Sequence, residues 1–415
     1  MRNTGFLWIA VVILALLDIY MFQVIKALAA AQSHRVKLTI FSVYWIISAL
    51  VLVLLLLLPY LHYENWPKAL RSSLFATMVG LFFAKLLAAV FFLIDDIRRA
   101  MMWIIGKLFS NPSVEITDAA DGINRSAFLS WLGLIAGGTL LGSLVYGFRN
   151  KYRYQLKRVA LRYEHLPAGF KGLKIVHISD IHSGSFMDKA AVEKGVSKIM
   201  QQGADLILFT GDLVNDRHGE MDEYIDVFKQ LRAPLGVYST LGNHDYGDYV
   251  QWESREAKQA NLEALKQVHA KLGWRLLMNE HVELEKGGSK IALLGIENWS
   301  AKGRFPKYGK MEQAYPGAEK YPFKILMSHD PSHWDAQVRP TYPDIDLMLS
   351  GHTHGMQFGV ELPGFHWSPV QYLYKQWAGL YEEGTQKLYV NPGYGFIGYP
   401  GRVGILPEIT VIELS

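Results

Sequence analysis

Cysteine is the residue type that this 415-residue chain lacks altogether. Its absence excludes a disulfide framework, cysteine-rich zinc sites, iron–sulfur clusters and cysteine nucleophiles. Charged residues are also scarce, at 19% of the chain, and the formal net charge is only +4. The large basic field that attracts nucleic acid is therefore missing, and we expect no nucleic-acid partner. The chain also lacks a Walker-type phosphate loop and the elbow motif of serine nucleophiles.

Long apolar runs, in contrast, are abundant in the first third of the chain. Four of them are each 20 to 23 residues long, about the length that a helix needs to cross the hydrocarbon core of a bilayer. They lie at about residues 6–25, 38–60, 74–94 and 127–146. Four runs in succession exclude a single cleaved signal peptide. We therefore predict a four-helix transmembrane region over residues 1–149 and a second domain over residues 150–415.

Charged and small residues within the predicted spans indicate how the helices contact one another. Asp18 in the first span and Lys85 in the third lie at matching depths. Because isolated charges inside a membrane tend to pair, we predict an ion pair between them, with a proton or substrate path as the alternative. The apolar stretch 100–109 is too short to span and is predicted to lie at the membrane interface. Close helix packing is predicted for four glycines of the last span, Gly133, Gly137, Gly138 and Gly142.

Lysine and arginine counts do not assign the second domain to one side of the membrane. The two sides would carry eight and seven of these residues, which is no decision under the positive-inside rule. The segment 124–129 (NRSAFL) is similar to a worn twin-arginine export signal in which Arg125 is the one remaining arginine. This similarity slightly favours the exported face of a bacterial-type cell membrane.

From Leu173 onward, short apolar runs alternate with helical stretches. Six of the runs predict buried strands, at residues 174–179, 206–210, 237–241, 291–296, 324–328 and 345–350. Helices are predicted between them, at residues 189–202, 221–231 and 253–272. Such alternation is typical of a layered α/β domain.

Residues that ligate metals follow five of these predicted strands. They are Asp180 and His182, Asp212 and Asp216, Asn243 to Asp245, His329, and His352 and His354. One such cluster alone would be explained by a cap or a turn. Because α/β sheets place ligands beyond the carboxyl ends of their strands, all five are expected at one edge. Carboxylates with imidazoles suit divalent first-row metals such as Mn, Fe and Zn.

This ordered series resembles the motifs of the calcineurin-like metallophosphoesterase superfamily. Asp-x-His, Gly-Asp-x-x-Asn, Gly-Asn-His-Asp, a lone His and Gly-His-x-His all occur here, in that order. Residues 178–184 (ISDIHSG) and 391–395 (NPGYG) are similar to those of bacterial membrane-bound or exported phosphohydrolases. The resemblance covers the chain from about Leu173 to its end. It implies an α/β fold, a layered β-sandwich flanked by helices, here preceded by the transmembrane region.

The resemblance also implies two divalent metal ions and the residues that serve them. The ligands would be Asp180, His182 and His354 for one ion, Asn243, His329 and His352 for the other, and Asp212 as the bridge. His244 would be the catalytic imidazole near the leaving group. Asp216 and Asp245 would orient imidazoles from behind the ligands.

We therefore expect a membrane-anchored, metal-dependent phosphoric ester hydrolase that cleaves a mono- or diester by attack of metal-activated hydroxide. Lipid-linked esters are among its candidate substrates. Two alternatives stay open: a non-catalytic metal-bound sensor that signals through the spans, and a pyrophosphatase acting on a nucleotide-linked lipid. His244 argues against the sensor, because a binding module needs the ligands but not the acid.

Two further stretches bear on substrate choice. Residues 299–321 form a predicted loop whose basic residues, including Arg304 and Lys307, could grip a second phosphate; a solvated surface loop is the alternative. Residues 367–381 are rich in Trp and Tyr. For these we favour packing on the core over contact with lipid headgroups.

Overall fold

The computed structural model describes residues 4–58, 60–61, 66–109, 125–303 and 305–415. The chain divides into two compact units, Met1–Tyr146 and Gly147–Ser415. Arg304 lies outside the described residues, as does Asn124 of the export-signal similarity.

The first unit consists of helices in its described residues. They are α1 (Thr4–Leu28), α2 (His34–Leu57), α3 (Lys68–Phe109) and α4 (Arg125–Gly147). Each is long and apolar enough to cross a membrane, so the prediction of four N-terminal candidate transmembrane helices is confirmed. Residues 100–109, predicted to lie at the membrane interface, continue α3 without a break over its 42 residues, and their position at the interface stays a prediction. At 1.5 Å per residue, α3 is roughly twice as long as the hydrocarbon core is thick.

Asp18 and Lys85 form the predicted ion pair, and both are buried. The Lys85 ammonium also donates to Ser48 Oγ at 3.1 Å, and the Tyr44 hydroxyl donates to Asp18 Oδ1 at 3.1 Å. The pair thus joins α1 to α3, and its two hydrogen-bonding partners belong to α2. A buried charge pair persists when further hydrogen bonds satisfy it, as they do here.

The second unit is a sandwich of two six-stranded sheets. The strands in chain order are β1 (Gln155–Leu161), β2 (Lys174–Ile178), β3 (Leu206–Phe209), β4 (Val237–Ser239), β5 (Arg275–Leu276), β6 (Glu280–Lys286), β7 (Ser289–Gly295), β8 (Lys324–Met327), β9 (Leu347–Ser350), β10 (Val360–Leu362), β11 (Phe365–Trp367), β12 (Gly379–Glu383), β13 (Gln386–Val390) and β14 (Glu408–Leu414). One sheet has the order β1-β14-β2-β3-β4-β5 and the other β12-β13-β9-β8-β7-β6, while β10 and β11 form a separate hairpin.

Helices cover the outer faces of both sheets. They are α5 (Lys189–Met200), α6 (Ile225–Phe228) and α7 (Arg255–Leu272) on one side, and α8 (Met311–Ala314) and α9 (Arg339–Thr341) in the other half of the unit. Ile175 of β2 packs between the sheets, and Val176 packs outward beneath the helices. Strands buried on both faces are apolar throughout. The layered α/β fold is therefore confirmed.

Parallel pairing brings the carboxyl ends of the central strands to one edge. β2, β3 and β4 run parallel in the first sheet, and β7, β8 and β9 run parallel in the second. All the predicted metal ligands lie in the loops that follow five of these strands.

Candidate metal centre

Tight turns after the strands carry most of the predicted ligands. Asp180, His182, Asp212, His352 and His354 all adopt left-handed backbone conformations, with φ between 48° and 70°. Residues other than glycine rarely adopt this region, because the Cβ atom crowds the backbone. Strain of this kind persists where the surrounding structure imposes it, and it is concentrated at functional sites.

One group of possible ligands consists of Asp180, His182 and His354, here called the Asp180 group. Their ligand atoms lie within 4.8 Å of one another, and all three side chains are buried. His354 Nε2 is 3.2 Å from Asp180 Oδ1, and His182 Nε2 is 4.0 Å from the same oxygen. One carboxylate oxygen and two imidazole nitrogens thus converge on one point.

A second group adjoins it and consists of Asp212, Asn243, His329 and His352, here called the Asp212 group. His329 Nε2 is 3.1 Å from Asp212 Oδ2, and Asn243 Oδ1 is 2.7 Å from His352 Nδ1. The same Asp212 Oδ2 lies 3.5 Å from His182 Nε2 of the Asp180 group. A single carboxylate oxygen therefore faces imidazoles of both groups.

Hydrogen bonds on the far side of the rings fix which nitrogen each histidine presents. His329 Nδ1 donates to the carbonyl oxygen of Thr210 at 2.8 Å, so its Nε2 faces the group. His352 Nε2 bonds to the Tyr374 hydroxyl at 2.9 Å, so its Nδ1 faces the group. Partners of this kind commonly orient metal-bound histidines.

Unsatisfied nitrogen atoms show that the site fits metal ions. His182 is fully buried, yet neither ring nitrogen has a hydrogen-bond partner among the described residues. A buried polar atom without a partner costs about 1–3 kcal/mol. Coordination of an ion would satisfy one of these nitrogens, and the mixed carboxylate, amide and imidazole set suits first-row divalent ions.

The protonation states of the side chains in the two groups are consistent with metal binding. Burial lowers the pKa of His182 well below its ordinary value, which keeps the imidazole in the neutral form that binds metals. Burial opposes ionisation of Asp212, but His329 and His244 beside it hold the pKa of Asp212 well below its ordinary value. Burial likewise opposes the charged form of His329, yet Asp212 raises the pKa of His329 to about 10. A metal ion would displace that proton.

His244 stands beside the ligands with one ring nitrogen engaged. Its Nδ1 donates to the carbonyl oxygen of Asn215 at 2.8 Å, and its backbone N–H donates to Asp212 Oδ1 at 2.8 Å. The ring packs edge-on against His182, with 4.9 Å between the centroids. The remaining nitrogen, Nε2, is thus the one available to a substrate.

The orienting roles predicted for Asp216 and Asp245 stay predictions, although neither carboxylate has a hydrogen bond to an imidazole among the described residues. Asp245 bonds to backbone rather than to an imidazole: it accepts from the N–H groups of Gly242, Asp212 and Leu213 at 2.8–2.9 Å and so braces two ligand loops. The carbonyl of Asn215, not the carboxylate of Asp216, holds the His244 ring. Burial raises the pKa of Asp216 to about 6 and that of Asp245 to about 7.

Three residues at the site escaped the sequence reasoning. Tyr249 Oη accepts from Asn243 Nδ2 at 2.8 Å, and its ring lies 4.4 Å from that of His244. Tyr374 bonds to His352 as described above. Arg402 is fully buried and donates to the carbonyl oxygens of His354 and Pro392 at 3.1 and 2.8 Å. Tyr374 and Arg402 are distant in sequence from the ligands that they contact, and Tyr249, six residues after Asn243, belongs to no motif, so no local spacing marks them.

In each of the two stretches expected to bear on substrate choice, some residues are buried in the core and others are not. In 299–321, Phe305 meets the ring of His352 edge-on at 5.4 Å, whereas Met311 and Ala314 are buried on the second sheet. In 367–381, Trp377 is buried and Tyr372 is 77% exposed. Core packing is therefore right for only part of that stretch.

Comparison with known proteins adds two family matches. Residues 1–151 match the family described as probable calcineurin-like phosphoesterase, transmembrane domain, and residues 173–356 match the calcineurin-like phosphoesterase family. A Danio rerio protein named transmembrane protein with metallophosphoesterase domain is 30% identical over 319 residues, covering 75% of this chain and 68% of that protein.

Two relatives from Bacillus subtilis also match. The uncharacterized metallophosphoesterase YkuE is 30% identical over 306 residues, covering 71% of this chain and 98% of its own length. The uncharacterized metallophosphoesterase YkoQ is 27% identical over 263 residues, covering 60% and 86%. The chain thus belongs to the calcineurin-like metallophosphoesterases, in a branch that carries a transmembrane domain.

Proposed function

We propose that the protein is a membrane-anchored hydrolase of phosphate mono- or diesters that depends on two divalent metal ions. The Asp180 group would hold one ion and the Asp212 group the other, with Mn, Fe or Zn best suited to the donors. The observation that carries the proposal is the position of Asp212 Oδ2, 3.1 Å from His329 Nε2 and 3.5 Å from His182 Nε2.

The chemistry divides between the ions and the chain. When bound, such ions supply a hydroxide nucleophile at neutral pH and neutralise charge on the phosphate oxygens. His244 contributes a proton at Nε2 to the leaving oxygen, and the Asn215 carbonyl keeps the ring in place through Nδ1. A positioned acid of this kind is typically worth about 10²–10⁴-fold in rate.

Metal removal and reloading tests this proposal on the full-length protein in detergent. Chelation should abolish hydrolysis of p-nitrophenyl phosphate and bis-p-nitrophenyl phosphate, and Mn, Zn, Fe or Co should restore it for at least one ester. The exposed Asp226 offers a matched control, because Asp226→Ala should keep the wild-type response. A folded, metal-loaded protein that is inert on every ester would favour the sensor instead.

A further inference from the structure

Exposed apolar side chains in Gly147–Ser415 are concentrated in one segment. Among the described residues of this unit, every large hydrophobic side chain that is exposed, apart from Tyr249, lies between Met356 and Leu380. They are Met356, Val360, Leu362, Phe365, Tyr372, Leu373 and Leu380. A concentration of exposed apolar side chains in one segment indicates a site of interaction with a protein, a ligand or a membrane.

The hairpin formed by β10 and β11 carries the most prominent part of this segment. Its strands pair only with each other, and Leu362 lies directly opposite Phe365 next to the turn. These two side chains are 61% and 54% exposed. An isolated two-stranded hairpin is marginally stable in water, and an apolar tip is unfavourable there. The hairpin therefore suits an apolar environment.

Backbone contacts connect the base of this hairpin to Gly147, the residue with which the second unit begins. Gly147 is the final residue of α4, a candidate span. The N–H of Arg402 donates to the Gly147 carbonyl at 3.0 Å, and the N–H of Gly359 donates to the carbonyl of the next residue, Val403, at 2.8 Å. The hairpin thus begins two backbone hydrogen bonds from Gly147, which directly follows the first unit in the sequence.

Side-chain chemistry at this point fits the boundary between headgroups and acyl chains. Leucine, phenylalanine and tyrosine are the residues that interfacial segments place there. Arg149 and Arg153 are exposed and lie two and six residues after Gly147. Basic groups beside a membrane are attracted to anionic headgroups.

Both ends of the segment are anchored at the candidate metal centre. Next to His354, Gly355 accepts a hydrogen bond from Ser368 Oγ at 2.8 Å. At the other end, Tyr374 bonds to His352 at 2.9 Å, directly after the exposed Tyr372 and Leu373. An amphiphile whose tail lies along the hairpin would therefore have its phosphate near the ligands.

We propose that the hairpin and the turn at Tyr372 and Leu373 enter the headgroup layer of the membrane that holds the four helices, and that the adjacent site takes phosphate esters of membrane lipids. The substrate class rests on the proposed hydrolase function. The membrane contact does not, and it is tested separately.

The absence of cysteine makes the membrane contact directly measurable. Full-length Leu362→Cys and Phe365→Cys, labelled with the fluorophore NBD, are reconstituted into phosphatidylcholine–phosphatidylglycerol vesicles with or without doxyl-labelled lipid. Glu285→Cys, at the charged end of the exposed β6–β7 hairpin, is the matched control. The doxyl lipid should quench the first two labels by about half, as expected for side chains within reach of the acyl boundary, and leave the control unchanged.

Two results would overturn the membrane contact. One is that doxyl lipid leaves the labels at Leu362 and Phe365 as bright as the control. The other is a blue-shifted emission that doxyl lipid does not change, because the hairpin would then be covered by protein, such as a second copy of the chain.

Matched esters test the substrate class. The probes are methyl and hexadecyl p-nitrophenyl phosphate, which share a leaving group and differ only in the tail. The double variant Leu362→Ser, Phe365→Ser should lose about tenfold in kcat/KM on the hexadecyl ester in vesicles and stay within about twofold on the methyl ester. Equal losses on both would refute the lipid assignment. Wild-type protein inert on both would refute the hydrolase itself, while the vesicle measurement still decides the membrane contact.

Discussion

Substitution of His244 should impair catalysis without removing the metal ions. Its ring is held by the Asn215 carbonyl and is not one of the side chains that converge in either ligand group. We expect His244→Asn to keep its metal ions and to lose about 10²–10⁴-fold in kcat, with the largest loss for alkyl esters, which need the proton most.

A matched histidine provides the control for that variant. His281 also donates Nδ1 to a backbone carbonyl, that of Ala314 at 2.8 Å, but it lies in β6 away from the ligand loops. His281→Asn should leave kcat nearly unchanged. A His244 variant that loses metal, or loses rate equally on alkyl and p-nitrophenyl esters, would show that the ring is structural or a ligand.

Tyr249 should act on the metal through Asn243. Its hydroxyl accepts from the Asn243 amide nitrogen, which turns the amide oxygen toward His352 and His329. Tyr249→Phe should therefore weaken Mn²⁺ binding to the Asp212 group by about 10–100-fold, the usual effect of losing a partner that orients a ligand. Titration followed by electron paramagnetic resonance measures this affinity. Tyr308→Phe is the control, because the Tyr308 ring stacks on that of Tyr246, with 4.0 Å between the centroids. Unchanged affinity would assign Tyr249 to packing alone.

The seven predicted ligands converge in the structure, and the sequence pointed to them because each follows a buried strand in a motif with fixed spacing. The residues that support these side chains could not be identified from the sequence. Arg402 reaches His354 across 48 positions, and Tyr249 reaches Asn243 through a loop with no periodic pattern. Asp245 was assigned an imidazole by resemblance, but the strained turns at Asp212 leave backbone N–H groups that need an acceptor, and Asp245 supplies it.

At the scale of elements, the six predicted strands are mostly apolar and buried along nearly their whole length. The edge strand β6 (EHVELEK), which was not predicted, alternates buried and exposed residues and carries charges. Burial alone does not separate the two sets, because β14 is buried almost throughout and was also not predicted. α6 contains only four helical residues, although the predicted helix covered residues 221–231. Periodicity indicates an amphipathic face but not where tertiary contacts end a helix.

Gly137 and Gly138, two neighbouring glycines of α4, differ in how closely other atoms approach them. A Cβ atom at Gly137 would lie 2.5 Å from the Ala84 carbonyl oxygen of α3, whereas one at Gly138 would have no neighbour within 4 Å. Gly137→Ala should therefore destabilise the first unit by about 1–3 kcal/mol through overpacking, and Gly138→Ala should not. Reversible unfolding in mixed micelles measures both. Equal stability of the two variants would mean that α4 does not pack on α3 in this way.

At the scale of the whole molecule, the site belongs entirely to the second unit. We proposed a division at residue 150, but Arg402 bonds to Gly147, and Asn150 Nδ2 donates to the Arg402 carbonyl at 3.1 Å. A fragment of residues 147–415 keeps both contacts. It should fold, bind metal and hydrolyse bis-p-nitrophenyl phosphate at about the rate of the full chain. The same fragment with Asp212→Ala should fold but should neither bind the ions nor hydrolyse the ester. A folded, metal-loaded but inert fragment would mean that the helices are needed for catalysis.

The central claim is a pair of metal ions that share Asp212, and the number of ions per chain tests it most directly. After loading with Mn²⁺ and gel filtration, elemental analysis should find about two ions per wild-type chain. His354→Ala should retain about one and Asp212→Ala close to none, because Asp212 Oδ2 faces both groups, while Asp226→Ala should match wild type. A folded Asp212→Ala variant that still holds a full pair of ions would contradict the account.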